Sequence, residues 1–230
     1  MPVLNNIIVS DRPWHKNLAN QLSKSTDQRF FLITKKDELS IDHLTSIKPR
    51  YIFFTHWSHI IPPEIYNTFD CVIFHMTDLP FGRGGSPLQN LIVKGIYQTK
   101  ISALKCVAEL DAGPIYFKED FSLAEGSAHE IFERCTRVIC TMILRMAKEN
   151  ITPKPQTGEV VVFKRRKPEQ SELSEAKTVL AAHDFIRMLD APGYPKAFLT
   201  TDNLRIEFSN SKLIDGELMA TVKIELKPNT

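Results

Sequence analysis

At 230 residues, with 43% apolar and 24% charged side chains, the chain is long enough to bury a sizeable core, and its composition is that of a globular protein rather than a disordered or membrane chain. A formal net charge of +2 offers no field to a polyanion, which disfavours nucleic-acid binding as the main business. No apolar run reaches the roughly 18 residues of a membrane span, and Met1-Pro2-Val3-Leu4-Asn5 lacks a signal-peptide layout. No membrane partner is expected, and the expected address is the cytoplasm.

In chain order, residues 6–10 form a short apolar run, and residues 14–23 carry apolar side chains at helical spacing. Residues 30–34 and 51–55 read as the next strands, Pro62-Pro63 opens a short helix, and Cys71 to His75 is a fourth strand. Near-continuous apolar runs separated by helical segments describe strands buried on both faces of a mostly parallel sheet. Ligands collect at the carboxyl ends of such strands, where His56 and His75 fall. Ser86-Pro87 opens a helix to about Lys94, because Pro suits the first helical position. Residues 101–107 and 115–123 look like two more strands joined by a loop holding Asp111. Ser127-Ala128-His129-Glu130 is a capping box ahead of a long helix whose apolar face runs from Ile131 to Met146.

Composition shifts near Ile151-Thr152-Pro153-Lys154-Pro155. Beyond it lie the run Lys164-Arg165-Arg166-Lys167, a helix over about 178–189, and two or three strands after Phe198, with Asp215-Gly216 as a hairpin turn. The expected fold is α/β, a Rossmann-like mostly parallel sheet over residues 1–150 with a small C-terminal α+β appendage over residues 151–230. Cys71, Cys106, Cys135 and Cys140 have no paired CxxC spacing and read as buried free thiols in a reducing compartment. His56 and His59 lack the further Cys, His or Asp partner that a metal site would need, so no metal is expected.

Two stretches carry the chemistry. The strand ending on His75 breaks into Met76-Thr77-Asp78-Leu79-Pro80-Phe81-Gly82-Arg83-Gly84-Gly85-Ser86-Pro87, and Leu110-Asp111-Ala112-Gly113-Pro114 precedes a later strand. A histidine and a carboxylate on loops at strand ends make a proton-transfer pair. His75, Pro80, Arg83-Gly84-Gly85-Ser86-Pro87 and Asp111-Ala112-Gly113 resemble, in this order, the formyltransferase family that uses N10-formyltetrahydrofolate. The specific match covers about residues 50–120. The tail, with Phe163 to Pro168 and Ile186 to Pro195, is similar to the branch that formylates amino sugars on nucleotide carriers, in the manner of pseudaminic-type sugar pathways.

The resemblance implies formyl transfer to the amine of a nucleotide-linked deoxyamino sugar, with N10-formyltetrahydrofolate as co-substrate and residues 1–150 as the catalytic domain. It implies His75 and Asp111 as catalytic residues, and Trp57, Met76, Leu79, Ala108 and Leu110 on the folate side. Arg83, Gly84, Arg165 and Tyr194 are the substrate-side candidates. Each has a plainer reading: Arg83 as a loop-stabilising bond, Trp57 and Tyr194 as packed loop aromatics, and the run around Arg165 as a solvated face. A formyltransferase for another amine stays open. A methionyl-tRNA enzyme is expected to carry a larger, basic RNA-binding part, and 230 residues at a net charge of +2 argue against it, so no nucleic-acid partner is expected. An appendage rich in strands can pair across a two-fold axis, so a homodimer is open to the chain.

One departure matters. Where the family places asparagine, two residues before the histidine, this chain has Ile73, on the same side of the strand as His75. Loss of one oxyanion donor typically costs about 2.7–4 kcal/mol. Thr77, a backbone N–H of residues 82–85 or a water replaces that donor, or the chain is a slow or inactive binding protein.

Overall fold

The computed structural model describes residues 3–227 and takes the elements in this order: β1 (Asn5–Val9), α1 (Leu18–Lys24), β2 (Arg29–Ile33), α2 (Ile41–Ile47), β3 (Pro49–Phe54), α3 (Pro63–Thr68), β4 (Cys71–His75), β5 (Phe81–Gly84), α4 (Pro87–Val93), β6 (Gln98–Lys105), β7 (Ile115–Ser122), α5 (Ala128–Lys148), β8 (Val161–Phe163), α6 (Val179–Arg187), β9 (Ala197–Thr200), β10 (Leu204–Ile214) and β11 (Glu217–Leu226). They fall into two compact units that interleave along the chain. The first comprises residues up to Gly84, Lys100–Phe121 and Glu133–Val162; the second comprises Gly85–Thr99, Ser122–Phe132 and Phe163 onward.

The first unit is built on a six-stranded sheet in the order β2-β1-β3-β4-β6-β7. β1, β2, β3 and β4 run parallel, and β6 lies antiparallel to β4. The central strands are apolar without alternation because both faces are covered: Ile7, Ile8, Val9, Ile52 and Phe53 are fully buried. Burying each such side chain stabilises the fold by about 1.5–3 kcal/mol. The cluster around Ile7, Val9, Ile52, Phe54 and Ile65 also carries Trp57 and Ile73 packed against it.

The sequence reading left two elements out. α2 spaces Ile41, Leu44 and Ile47 along one side and is capped by the Ser40 hydroxyl, which accepts from the His43 N–H. β5 was expected to be loop, because its Phe-Gly-Arg-Gly has none of the β-branched character that marks a strand. In the first unit it is held at its start by the Val161 N–H, which donates to the Pro80 carbonyl at 3.3 Å.

The second unit holds a three-stranded sheet in the order β11-β10-β9 and the helix α6. β10 and β11 are joined by Asp215-Gly216, both at positive φ, the conformation a two-residue hairpin turn requires. On α6, Asp184 accepts from the Tyr97 hydroxyl and from Arg187 Nε, while Arg187 Nη1 donates to the Leu123 carbonyl at 2.8 Å. No helix among the described residues is long and apolar enough to cross a membrane.

Candidate functional site

His75 is the last residue of β4, and β4 leads it to the carboxyl end of the sheet. The residue is 7% exposed, as is Asp111, and its Nδ1 stands 3.6 Å from Asp111 Oδ2. That gap is longer than a direct hydrogen bond. The other ring nitrogen, Nε2, donates to the Gly82 carbonyl at 2.8 Å. A carbonyl only accepts, so Nε2 carries a proton and Nδ1 is the ring nitrogen turned towards Asp111.

The Asp111 loop is shaped by its own sequence. Asp111 adopts φ +53°, a conformation that Asp tolerates better than most residues. Gly113 is required because a Cβ there would stand 1.8 Å from the Lys105 carbonyl oxygen. The Asp111 carboxylate is aimed by the Gly84 N–H, which donates to Oδ2 at 2.9 Å. Gly84 therefore acts through its backbone, at the edge of the His75–Asp111 pair.

Arg83 is engaged within the first unit. Its Nη1 pairs with Glu109 at 3.0 Å, and Nε and Nη2 donate to Gln156 Oε1 at 3.1 and 2.9 Å. This matches the loop-stabilising reading of that residue. Gln156 was not singled out by the sequence, because a lone glutamine in a Pro-rich stretch carries no periodic or motif signal.

The folate-side candidates separate by exposure. Met76 and Leu79 are buried, whereas Ala108 and Leu110 stand exposed on the loop leading to Asp111. Trp57 is half-buried against the core with its ring edge on His59, and its Nε1 is buried without an acceptor. Leu79 also lines, with Pro80, Phe81, Lys118 and Glu159, an open cavity of about 630 Å³ in the first unit. Thr77 does not present the replacement donor expected of it: it is fully buried and its hydroxyl donates to the Gly82 carbonyl at 3.4 Å.

Arg165 and Tyr194 belong to the second unit. Arg165 is exposed, and a Cβ at Gly85 would meet its Cβ at 2.7 Å. Tyr194 is half-buried with its ring tilted on Phe132, centroids 5.5 Å apart.

A second polar cluster lies at the ends of β1 and β3. His15 Nδ1 is hydrogen-bonded to Ser10 Oγ at 2.7 Å and to Thr55 Oγ1 at 3.2 Å, and its Nε2 to Thr136 Oγ1 at 2.8 Å. The His56 ring lies 5.4 Å away, centroid to centroid. Burial, and then the Arg12 charge, lower the His15 pKa to about 4; burial, His15 and Arg12 lower that of His56 to about 3.

A mostly parallel sheet followed by an antiparallel C-terminal sheet is the fold of a formyltransferase, and the chain belongs to that family. It is similar to the methionyl-tRNA formyltransferase of Clostridium thermocellum, with 46% identity and a TM-score of 0.94, covering 98% of this chain and 100% of that one. The family model for the methionyl-tRNA formyltransferase C-terminal domain matches residues 168–225. The methionyl-tRNA formyltransferase of Thermodesulfovibrio yellowstonii is 25% identical over 199 residues, 84% of this chain; the chain spans 64% of that relative's length. A sugar N-formyltransferase from Shewanella sp. shares the fold at a TM-score of 0.67 and 16% identity, with 99% of each chain covered.

Proposed function

We propose that this protein moves a formyl group from N10-formyltetrahydrofolate to a primary amine. The observation that carries the reading is the buried gap of 3.6 Å between His75 Nδ1 and Asp111 Oδ2. In the reaction, the acceptor nitrogen bonds to the formyl carbon, the bond from that carbon to N10 breaks, the amine gives up one proton and N10 takes one. In this reading the His75–Asp111 pair receives a proton from the amine and hands it on. The Nε2 bond to Gly82 holds the ring in one orientation while this occurs. Exposed Leu110 and half-buried Trp57 offer apolar contact to the flat ring of the folate.

Two acceptors fit this reading. The names of the 46% identical Clostridium relative and of the Thermodesulfovibrio relative support the α-amino group of methionyl-tRNA, and this acceptor is taken first. The small net charge disfavours an RNA-linked substrate without excluding one. The second is a nucleotide-linked deoxyamino sugar of the pseudaminic type, supported by the net charge of +2, which is modest for a chain that grips RNA. For either acceptor, Arg165, exposed in the second unit, suits a phosphate contact.

The deciding experiment supplies N10-formyltetrahydrofolate with methionyl-tRNA and a panel of UDP- and dTDP-linked amino-deoxysugars, and weighs the products. One formyl group on one acceptor, lost in His75→Ala and Asp111→Ala, is the expected result. Folate binding with no turnover, gained on Ile73→Asn, would instead mark a binding protein derived from an enzyme.

A homodimer belongs to the same reading. One face of β11 exposes Val222, Ile224 and Leu226 at 49%, 58% and 79%, and Lys223 and Glu225 lie on the other. An uncharged face suits its own copy. Sedimentation should give a dimer that Ile224→Lys splits; a monomeric parent would refute it.

A further inference from the structure

The stretch after α5 runs between the two loops of the site in the first unit. Lys154 exchanges both backbone hydrogen bonds with Ile115, at 2.7 and 2.8 Å. Two residues on, Gln156 Nε2 donates to the Asp111 carbonyl at 2.7 Å and to the Gly113 carbonyl at 2.9 Å. Its Oε1 accepts from Arg83 Nε and Nη2. Farther on, the Val161 N–H reaches the Pro80 carbonyl.

All the hydrogen-bonding capacity of one amide is thereby used: two donors to two carbonyls, two lone pairs to one guanidinium. The partners fix which end is which, since carbonyls only accept and a guanidinium only donates. A glutamate in its place has no donors, and a methionine neither donates nor strongly accepts. On the one side the amide pins the backbone of Asp111, which stands at positive φ. On the other it anchors Arg83, whose neighbour Gly84 gives its N–H to the Asp111 carboxylate. Both ends of Asp111 are thus held through one side chain.

We infer that Gln156 is a positioning residue that sets the distance between Asp111 and His75, an inference that rests on the formyl-transfer reading for its kinetic consequence. The test compares Gln156→Met and Gln156→Glu with the parent by steady-state kinetics, by thermal melting, and by the 15N resonances of the His75 ring. The expected result is kcat lowered about 10–100-fold, as misplacement by up to about 1 Å can do, with KM for the acceptor little changed and the ring resonances shifted in both variants. Folded variants with parental kcat and unmoved His75 resonances would overturn it. So would loss of folding in both variants, since the role would then be structural. If the parent turns over no amine, the formyl-transfer reading fails by itself, and the ring resonances still decide whether Gln156 governs the pair.

Discussion

At the scale of single residues, the Asp-x-Gly pattern has a physical reason beyond its acid. Gly113 is fixed by the nearby Lys105 carbonyl, at a spacing no Cβ can accept. Gly113→Ala must move either β6 or the Asp111 loop, so it should lower stability by about 1–3 kcal/mol and reduce turnover together, read by melting temperature and kcat. The cysteines give a second expectation. Burial pushes Cys106 and Cys140 up to about 11, and Cys71 and Cys135 higher still. Because the thiolate is the reactive form, buried Cys71, Cys106 and Cys135 should not label with an aromatic disulfide at pH 7 until the protein is unfolded, and half-buried Cys140 should label first. Fast labelling of more than one thiol in the native protein would contradict this burial.

Among the elements, legibility in the sequence followed side-chain character. β1, β3 and β4 were readable because burial on both faces leaves an unbroken apolar run. The start of α5 was readable because its capping box is a local device: the Ser127 N–H donates to Glu130 Oε2 at 2.8 Å, and the Glu130 N–H returns to Ser127 Oγ. β5 was not, since its glycines are chosen for conformation rather than for strand propensity. His75 and Asp111 were found through motif order, whereas Gln156 and the His15 cluster were not, because their meaning lies in partners distant in sequence. The best test of an element is Arg187 on α6, whose buried guanidinium pairs with Asp184. Arg187→Met removes the ion-pair partner of that buried carboxylate and should cost about 3–5 kcal/mol, visible as a lower urea midpoint.

Across the whole molecule, His15 and His56 tie stability to pH. Their folded pKa values, about 4 and about 3, lie below the ordinary 6.5 of an unfolded chain. The unfolded state therefore binds more protons below pH 6.5, and stability falls as pH falls from 6.5 through 4 towards 3. For His15, buried and hydrogen-bonded through both nitrogens, the effect is on the order of 3 kcal/mol. The urea midpoint should hold level above pH 7 and drop between pH 6 and 4, with the drop reduced in His15→Gln; a flat profile in the parent would show that neither imidazole stays neutral. The path of the chain has a further outcome. Each compact unit is assembled from three separate stretches. A gene divided after Asn150 would give an amino-terminal product lacking Gln156 and a carboxy-terminal product lacking Tyr97 and Leu123. Neither half inherits a finished interior, so activity from such a split gene would require both products to be made together and to rebuild both interiors at once.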